Sequence, residues 1–218
     1  MAIQTPPRVE KDSLPTRIRR RLSTWGRGAI FVPPDFLDLG TRAAVDAALS
    51  RATAAREIRR LARGVYDLPL PSSRFGPRLP STRKVADAIA RATGESICND
   101  GAFAANSLGL STQVPGRTTF LTDGTTRTVT LHLDATHSFK IHFRHSKRRA
   151  GGDSVAGLIV RALHFMGREA VSPERLKALR ESLTDEDHRQ LLALKPRAVG
   201  WLHASIDQMT EAPSSPRA

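Results

Sequence analysis

The sequence has little cysteine, few aromatic side chains and no long apolar run. Among 218 residues there is one cysteine, Cys98, and aromatic residues make up 5%. A single thiol excludes an internal disulfide and a zinc site built from several thiolates, and it is typical of a reducing compartment. No run of about 18 apolar residues occurs, so we expect no membrane-spanning helix. The first residues lack the apolar core of a secretory signal, and we therefore expect a cytoplasmic protein.

Acidic residues are also in short supply. The 21 Asp and Glu are outnumbered by 34 Lys and Arg, which gives a net charge of +13. The excess is +7 in residues 1–75 and +6 in residues 76–150, whereas residues 151–218 are neutral. A basic region joined to a neutral one indicates that the first two-thirds of the chain meets a polyanion. An arginine-rich composition that reflects a GC-rich genome is the alternative.

The motifs of common enzyme classes are missing. The sequence contains no G-x-x-x-x-G-K-[ST], G-x-G-x-x-G, G-x-S-x-G or H-E-x-x-H. His132, His137, His142 and His145 lack the spacing of metal ligands on one helix face. The acidic run after Thr184 suits the first turn of a helix, where the helix dipole favours negative charge. We therefore predict no catalytic residue, no metal ion and no cofactor.

The first periodic pattern indicates a helix. Apolar residues recur from Leu14 to Trp25 at spacings of 4, 4 and 3, which places them on one helix face. The short apolar run AIFV follows and predicts a strand, and Pro33-Pro34 can open a helical turn. A further helix is predicted over Thr41–Ala55, capped by the Thr41 hydroxyl.

The segment Glu57–Asp67, EIRRLARGVYD, predicts a strand pair with a basic turn. Helix, short strand, helical turn, helix and strand pair is the order of a winged helix-turn-helix domain, here residues 12–70. Its third helix, Thr41–Ala55, is expected to enter the major groove of DNA, with the hairpin over the flanking backbone. The predicted DNA-binding residues are Thr41, Arg42, Ala43, Asp46, Ser50, Arg59, Arg60, Arg63 and Arg27.

Two of these residues are candidates for reading bases. Arg42 can pair with a guanine through two hydrogen bonds, and Asp46 can accept one from a cytosine amine. A solvated surface hairpin is the alternative interpretation of the three arginines in Glu57–Asp67. The preceding helices and the regional charge favour contact with DNA.

The composition changes after the basic hairpin. Residues 68–80 are rich in Pro and Ser and are predicted to be a linker. Residues 81–210 are predicted to form a C-terminal domain, and residues 211–218 are expected to be disordered.

The C-terminal domain mixes helices and strands. Two helices are followed by three strand-like runs, with a hairpin turn signal at Thr122–Gly124. Four helices are predicted from about residue 153 on. The predicted fold class is α+β: an N-terminal winged helix-turn-helix followed by a mixed C-terminal domain with a small antiparallel sheet and a helical C-terminus. The strand-like runs are Thr118–Leu121, Thr126–Leu133 and Ser138–His145.

Two segments carry a resemblance to a known family. Ile58–Tyr66 reads I-R-R-x-x-R-G-V-Y and Asn106–Gln113 reads N-x-L-G-L-S-x-Q. Together they resemble the AbiEi-type family of bacterial regulators, and more closely its branch with an uncharacterised domain. The resemblance covers Leu14–Arg149. It implies a winged-helix autorepressor that binds inverted repeats in its own promoter and acts as the antitoxin of a type IV toxin–antitoxin or abortive-infection system. It also implies a functional link to a nucleotidyltransferase-like toxin, without a stable complex.

One departure from the family pattern concerns the end of the third helix. Ala52 and Arg56 stand where the family carries a core Leu and a turn Gly. The resemblance assigns the DNA contacts to the helix from Thr41 and to the hairpin arginines. A non-glycine residue in the left-handed conformation costs about 1 kcal/mol, and a core Leu replaced by Ala costs about 2–5 kcal/mol. We therefore expect a softer or differently built junction at Arg56.

Two other functions remain open. A nucleic-acid-processing enzyme with a winged domain as guide would need an acid/base or metal set in its C-terminal part. A non-catalytic nucleic-acid-binding adaptor would present an apolar patch around Trp201 and Leu202, where a core tryptophan is the alternative.

Overall fold

The structure is a computed structural model and describes residues 12–72, 74, 76 and 78–210. The predicted α+β class is confirmed, and the predicted disordered tail, residues 211–218, lies outside the described residues. The helices are α1 (Leu14–Trp25), α2 (Arg42–Ala54), α3 (Thr82–Thr93), α4 (Gly101–Ser107), α5 (Val155–Met166), α6 (Pro173–Glu181), α7 (Asp185–Leu194) and α8 (Leu202–Thr210). The strands are β1 (Ile30–Phe31), β2 (Arg59–Ala62), β3 (Val65–Asp67), β4 (Ile97–Asn99), β5 (Thr118–Thr122), β6 (Arg127–His132) and β7 (Ser138–His145).

The chain divides into two compact units. The first contains the described residues up to Thr93 together with Thr130–Phe139, and the second contains Gly94–Val129 and the residues from Lys140 on. Helix α3 therefore belongs to the first unit, whereas the sequence prediction assigns it to the C-terminal domain. The physical reason is its apolar face, which packs against β1 and β3. The buried residues of this face are Val85, Ala86, Ala88, Ile89 and Ala90.

The core of the first unit joins α1, α2 and the strands. Phe31 and Phe36 lie edge to face, with ring centroids 5.6 Å apart, in the centre of this cluster. The predicted helical turn after Pro33 is confirmed as a 3-10 turn. Thr41 caps α2 as predicted, since its hydroxyl oxygen accepts a hydrogen bond from the Ala44 amide at 3.4 Å. The buried helical residues of the cluster are Ile18, Leu22, Val45, Ala48 and Leu49.

The first sheet has the strand order β1-β3-β2, and both pairs are antiparallel. The register pairs Arg59 with Asp67 and Ala62 with Val65. Between Ala62 and Val65 only Arg63 and Gly64 remain to make the turn, and Gly64 has a φ of +73°. Glycine adopts such a left-handed value without strain because it has no Cβ. The predicted strand pair with a basic turn is therefore present.

The second sheet is mixed and has the order β4-β5-β7-β6. Strand β5 is antiparallel to β4 and parallel to β7. The predicted antiparallel sheet with a hairpin turn at Thr122–Gly124 is therefore wrong, because β7 lies between β5 and β6. The turn instead meets the end of β4, since Asp123 Oδ1 accepts a hydrogen bond from the Ser96 amide at 2.9 Å. Strand β4 itself was too short, at three residues, to leave a periodic pattern in the sequence.

The helical end of the second unit follows the sequence closely. Four helices, α5 to α8, are present as predicted. Thr184 and Asp187 form a capping box, with the Asp187 amide donating to Thr184 Oγ1 at 3.2 Å and the Thr184 amide to Asp187 Oδ2 at 3.0 Å. Leu202 is fully buried and Trp201 packs against the same core. Among the described helices, none is both long and apolar enough to cross a membrane.

The junction between α2 and β2 is strained at Arg56. Its φ is +58°, and no other described non-glycine residue has a positive φ. The expectation of a left-handed residue at this position is confirmed. The Arg56 amide donates to Thr53 O and the Glu57 amide to Ala52 O, each at 3.0 Å, which is the Schellman arrangement of a helix end. The Glu57 carboxylate also accepts two hydrogen bonds from the Arg19 guanidinium, at 2.8 and 2.9 Å.

Replacement of Arg56 by glycine is expected to raise the free energy of unfolding by about 1 kcal/mol, because glycine adopts the left-handed conformation without a Cβ clash. Arg56→Ala is the matched control, since it removes the same side chain but keeps the Cβ. Urea unfolding of the full chain measures both variants. Equal stability of the glycine and alanine variants would show that the backbone strain is negligible.

Candidate nucleic-acid interface

One face of α2 is turned to solvent. Helix α2 buries Val45, Ala48 and Leu49. Among the predicted DNA-binding residues of this helix, Arg42, Ala43 and Ser50 are exposed and Asp46 is half-buried. Because buried and exposed positions alternate with helical periodicity, one side of α2 packs on the core and the other is accessible.

Arg42 and Asp46 bond to each other on this face. Arg42 Nε donates to Asp46 Oδ2 at 2.9 Å, and the two side chains are 58% and 47% exposed. An exposed pair four residues apart on a helix contributes only about 0.3–0.5 kcal/mol. The ion pair is therefore weak, and both side chains can exchange it for hydrogen bonds to a ligand.

A cleft with a volume of about 490 Å³ joins the solvent face of α2 to the β2–β3 hairpin. It brings together five of the nine predicted DNA-binding residues, from two segments of the chain. We call this surface the α2–hairpin cleft. It is lined by Arg42, Asp46, Ser50, Thr53, Ala54, Arg60, Arg63, Gly64 and Tyr66.

The two hairpin arginines in this cleft are available to a ligand. Arg60 and Arg63 are both exposed. Within the described part of the chain, no hydrogen bond or ion pair holds either guanidinium group. The turn at Gly64 leaves Arg63 at the tip of the hairpin. Both guanidinium groups are therefore available to bind an anion.

Arg59 does not belong to this surface, which corrects the sequence prediction. Its Nε donates to Asp67 Oδ1 at 3.0 Å and its Nη2 to Asp67 Oδ2 at 2.6 Å. Asp67 is 1% exposed, and the third nitrogen of Arg59 donates to Leu133 O at 3.4 Å. The alternation along β2 separates the arginines, because Leu61 is fully buried and Arg60, between Arg59 and Leu61, is exposed. Arg59 is thus a structural residue of the hairpin.

The remaining predicted residues lie outside the cleft lining. Arg27 is exposed, and its Nη1 donates to Pro69 O at 3.0 Å. The Thr41 hydroxyl serves as the cap of α2, and Ala43 is exposed on the first turn of the helix. These three residues lie on the same unit as the α2–hairpin cleft, but none of them lines it.

The arginines of α1 are largely neutralised by carboxylates. Arg19 pairs with Glu57, Arg20 with Asp12 and Arg21 with Asp38, the last at 2.6 Å. The hydrogen bond from Arg21 holds the pKa of Asp38 below its usual range. Arg60 and Arg63 differ from this group because, among the described residues, neither forms an ion pair with a carboxylate. Arginines without an ion-pair partner among the described residues therefore distinguish the α2–hairpin cleft from α1, a difference that the net charge of the region does not reveal.

The histidines of the β6–β7 region are surface residues. His132, His137 and His145 are exposed and His142 is half-buried. Asp134 forms its hydrogen bonds with neighbouring residues. Backbone amides donate to its carboxylate, with the largest effect from Thr136, and hold its pKa well below the usual range. In the described ranges, no group of three or more His, Cys, Asp or Glu side chains is arranged to hold a metal ion.

The chain belongs to DUF6088, a family of unknown function, whose sequence profile matches residues 17–191. No curated protein and no solved structure gives a significant match to the chain. The family match extends from α1 to α7 and so includes the α2–hairpin cleft. Membership of this family assigns no activity to the chain, so the geometry of the site has to indicate the function.

Truncation of Asp67 to alanine is expected to lower the free energy of unfolding by about 3–5 kcal/mol, because it leaves the Arg59 charge buried without its partner. The double variant Arg59→Met/Asp67→Leu is expected to recover most of this loss, since it removes both charges and keeps apolar volume. Urea unfolding measures both. A double variant that is as unstable as Asp67→Ala would contradict the interpretation of this pair as a charge problem.

Proposed function

We propose that the first unit binds double-stranded DNA as a winged helix-turn-helix domain and that the protein is a transcriptional repressor. The element order supports this proposal. A helix, a short strand, a helical turn, a second long helix and a β-hairpin follow one another from α1 to β3, with the 3-10 turn at Pro33–Phe36 in place of a middle helix. The wing of such a domain corresponds to the β2–β3 hairpin.

The α2–hairpin cleft is the observation on which the proposal depends. Helix α2 has 13 residues and is therefore about 20 Å long at 1.5 Å per residue. The major groove, about 12 Å wide, admits one such helix. With α2 in the groove, Arg60 and Arg63 reach the neighbouring phosphates, which match unpaired guanidinium groups in charge and geometry.

The exposed face of α2 supplies candidates for base recognition. Arg42 has the geometry to donate two hydrogen bonds to a guanine, and Asp46 accepts from a cytosine amine. Their mutual ion pair is weak and exposed, so its loss on binding costs little compared with two hydrogen bonds to a base. Ser50, one further turn along the helix, can contact either a base or a phosphate.

We further propose that the repressor acts in the cytoplasm as the antitoxin of a type IV toxin–antitoxin system. This role is supported by the resemblance of Ile58–Tyr66 and Asn106–Gln113 to AbiEi-type regulators. In the second segment, the side-chain Nδ2 of Asn106 donates to the carbonyls of Ser111 and Gln113, each at 3.2 Å, and closes the turn after α4. Repression would act on inverted repeats upstream of its own gene, and the partner would be a nucleotidyltransferase-like toxin encoded alongside.

Co-expression tests the antitoxin role. A nucleotidyltransferase-like toxin from the adjacent reading frame is expected to arrest growth alone and to be tolerated with the full chain. Growth arrest in the presence of the full chain would overturn this role while leaving the DNA-binding proposal intact.

The double substitution Arg60→Gln/Arg63→Gln is expected to weaken binding to all duplexes, because it removes two phosphate contacts. It should lower the slope of log K against log salt by about 2 in magnitude. Fluorescence anisotropy with the upstream duplex and a scrambled duplex, at about 50–200 mM salt, measures the effect. Arg189→Gln, on α7 of the other unit, is the control for loss of an arginine. An unchanged salt slope in the double variant would contradict the assignment of the hairpin.

Arg42→Ala is expected to relax specificity at one base-pair position, with a loss of discrimination of about 1–3 kcal/mol. Binding to a set of duplexes with every single base-pair change in the operator measures this. Arg189→Ala, on α7 of the other unit, is the control. A uniform loss of affinity across all positions would instead indicate a phosphate contact.

A further inference from the structure

A second group of arginines surrounds a cleft in the other unit. This cleft has a volume of about 310 Å³ and is formed by β7, the loop after it, α5 and the turn before α8. Arg144, Arg148 and Arg197 contribute to its lining, and all three are exposed. We call this site the second-unit cleft. Its volume lies at the lower end of the range of small-molecule sites, which is about 300–1,000 Å³.

The charge of the second-unit cleft is uncompensated. No Asp or Glu is among the described residues that line it. Across the described residues, the guanidinium groups of Arg144, Arg148 and Arg197 have no hydrogen-bond or ion-pair partner. Three cations held around one small cleft repel one another, so an anion bound between them gains more than it would at an isolated arginine.

The floor of the cleft includes a buried arginine. Arg161 is 5% exposed. Its Nη1 donates to Ala150 O at 3.4 Å, and its Nη2 donates to Gly152 O. These bonds hold the loop that carries Arg148. The Nε atom of Arg161 is buried and has no hydrogen-bond partner in the structure, so the floor retains an unused donor.

Part of the lining is apolar. Phe165, on α5, lines the cleft and is 55% exposed, which is unusual for a ring of its size. Val160 and Leu121 also line the cleft. Gly101 allows α4 to approach Phe165 closely, because a Cβ at Gly101 would lie 2.5 Å from Phe165 Cβ. The cleft thus combines a cationic rim with an accessible aromatic surface.

We propose that the second-unit cleft binds a phosphorylated small molecule with a planar ring, of the size of a nucleoside monophosphate. Guanidinium groups match the oxygens of a phosphate through paired hydrogen bonds. A planar base can stack on the exposed ring of Phe165. His164 lines the same cleft, and burial and then the charge of Arg148 lower its pKa. Its imidazole is therefore neutral near pH 7 and adds a hydrogen-bonding group. The proposal does not depend on DNA binding by the first unit.

Isothermal titration of the full chain with adenosine, guanosine, cytidine and uridine 5′-monophosphates tests the proposal. At least one monophosphate is expected to bind more tightly than inorganic phosphate, and the corresponding nucleoside more weakly, because the site needs both the anion and the ring. Affinity for inorganic phosphate equal to that for every monophosphate would overturn the proposal. So would binding of a 5′-phosphorylated oligonucleotide without binding of any monophosphate, since that ligand would be a nucleic-acid strand.

Two kinds of variant assign the binding to this cleft. Arg148→Gln and Arg197→Gln are each expected to weaken monophosphate binding about tenfold, the effect of losing one charged hydrogen bond. Phe165→Leu is expected to abolish the preference for the monophosphate over inorganic phosphate and to leave phosphate binding unchanged. Arg168→Gln, an exposed arginine outside the lining, is the matched control. Since the side chains of the substituted arginines have no partner among the described residues, the thermal midpoints should match the parent chain. Unchanged affinity in both arginine variants would overturn the assignment.

Discussion

The buried carboxylate of Asp67 is the constraint on which the candidate DNA-binding surface depends. A carboxylate that is 1% exposed is stable in its charged form only when it is paired and hydrogen-bonded, and Arg59 supplies two parallel hydrogen bonds from the opposite strand. This pair fixes the register of β2 and β3, because a slip of one residue would turn Arg59 to the other face and leave the carboxylate alone. The same register places Arg60 on the solvent face and Arg63 at the tip. The arginine that is unavailable to a ligand thus positions the two that are available.

The strained turn before β2 is tolerated because the interactions that hold it in place are worth more free energy than the strain costs. A left-handed non-glycine residue such as Arg56 costs about 1 kcal/mol. Relaxation of that turn would move the start of β2 and disturb a buried ion pair whose disruption costs about 3–5 kcal/mol. Two backbone hydrogen bonds and the pairing of Glu57 with Arg19 also hold the turn. Arg56 therefore keeps the Schellman geometry that a turn glycine would adopt, and this geometry directs the chain into the hairpin.

Local features of this fold could be predicted from the sequence, and features that depend on distant partners could not. Helices and their caps follow from side chains within a few residues of one another, whereas the left-handed Arg56 could be expected only from a resemblance to a family that has glycine there. The place of β7 between β5 and β6 depends on pairing across more than ten residues, and β4 is too short to show alternation. The assignment of α3 to the first unit was hidden by the Pro-rich segment before it, because composition shows where a chain is irregular and not which core the next helix joins. The sequence does not distinguish Arg59 from the other hairpin arginines, because its pairing with Asp67 depends on the strand register.

The second-unit cleft could not be predicted from the sequence either, because its cations come from positions as far apart as Arg144 and Arg197. Net charge pointed to the first two-thirds of the chain as a whole, yet the arginines of α1 are largely occupied by carboxylates. Both sites contain arginines that have no partner among the described residues. The surroundings of these arginines differ, and this difference indicates a different ligand for each site. A long open helix face beside a basic hairpin suits a polymer with regularly spaced phosphates. A small cleft with an aromatic wall suits one phosphate joined to one ring. Of the basic residues between 76 and 150, Arg144 and Arg148 contribute to this cleft, whereas those of α3 belong to the first unit.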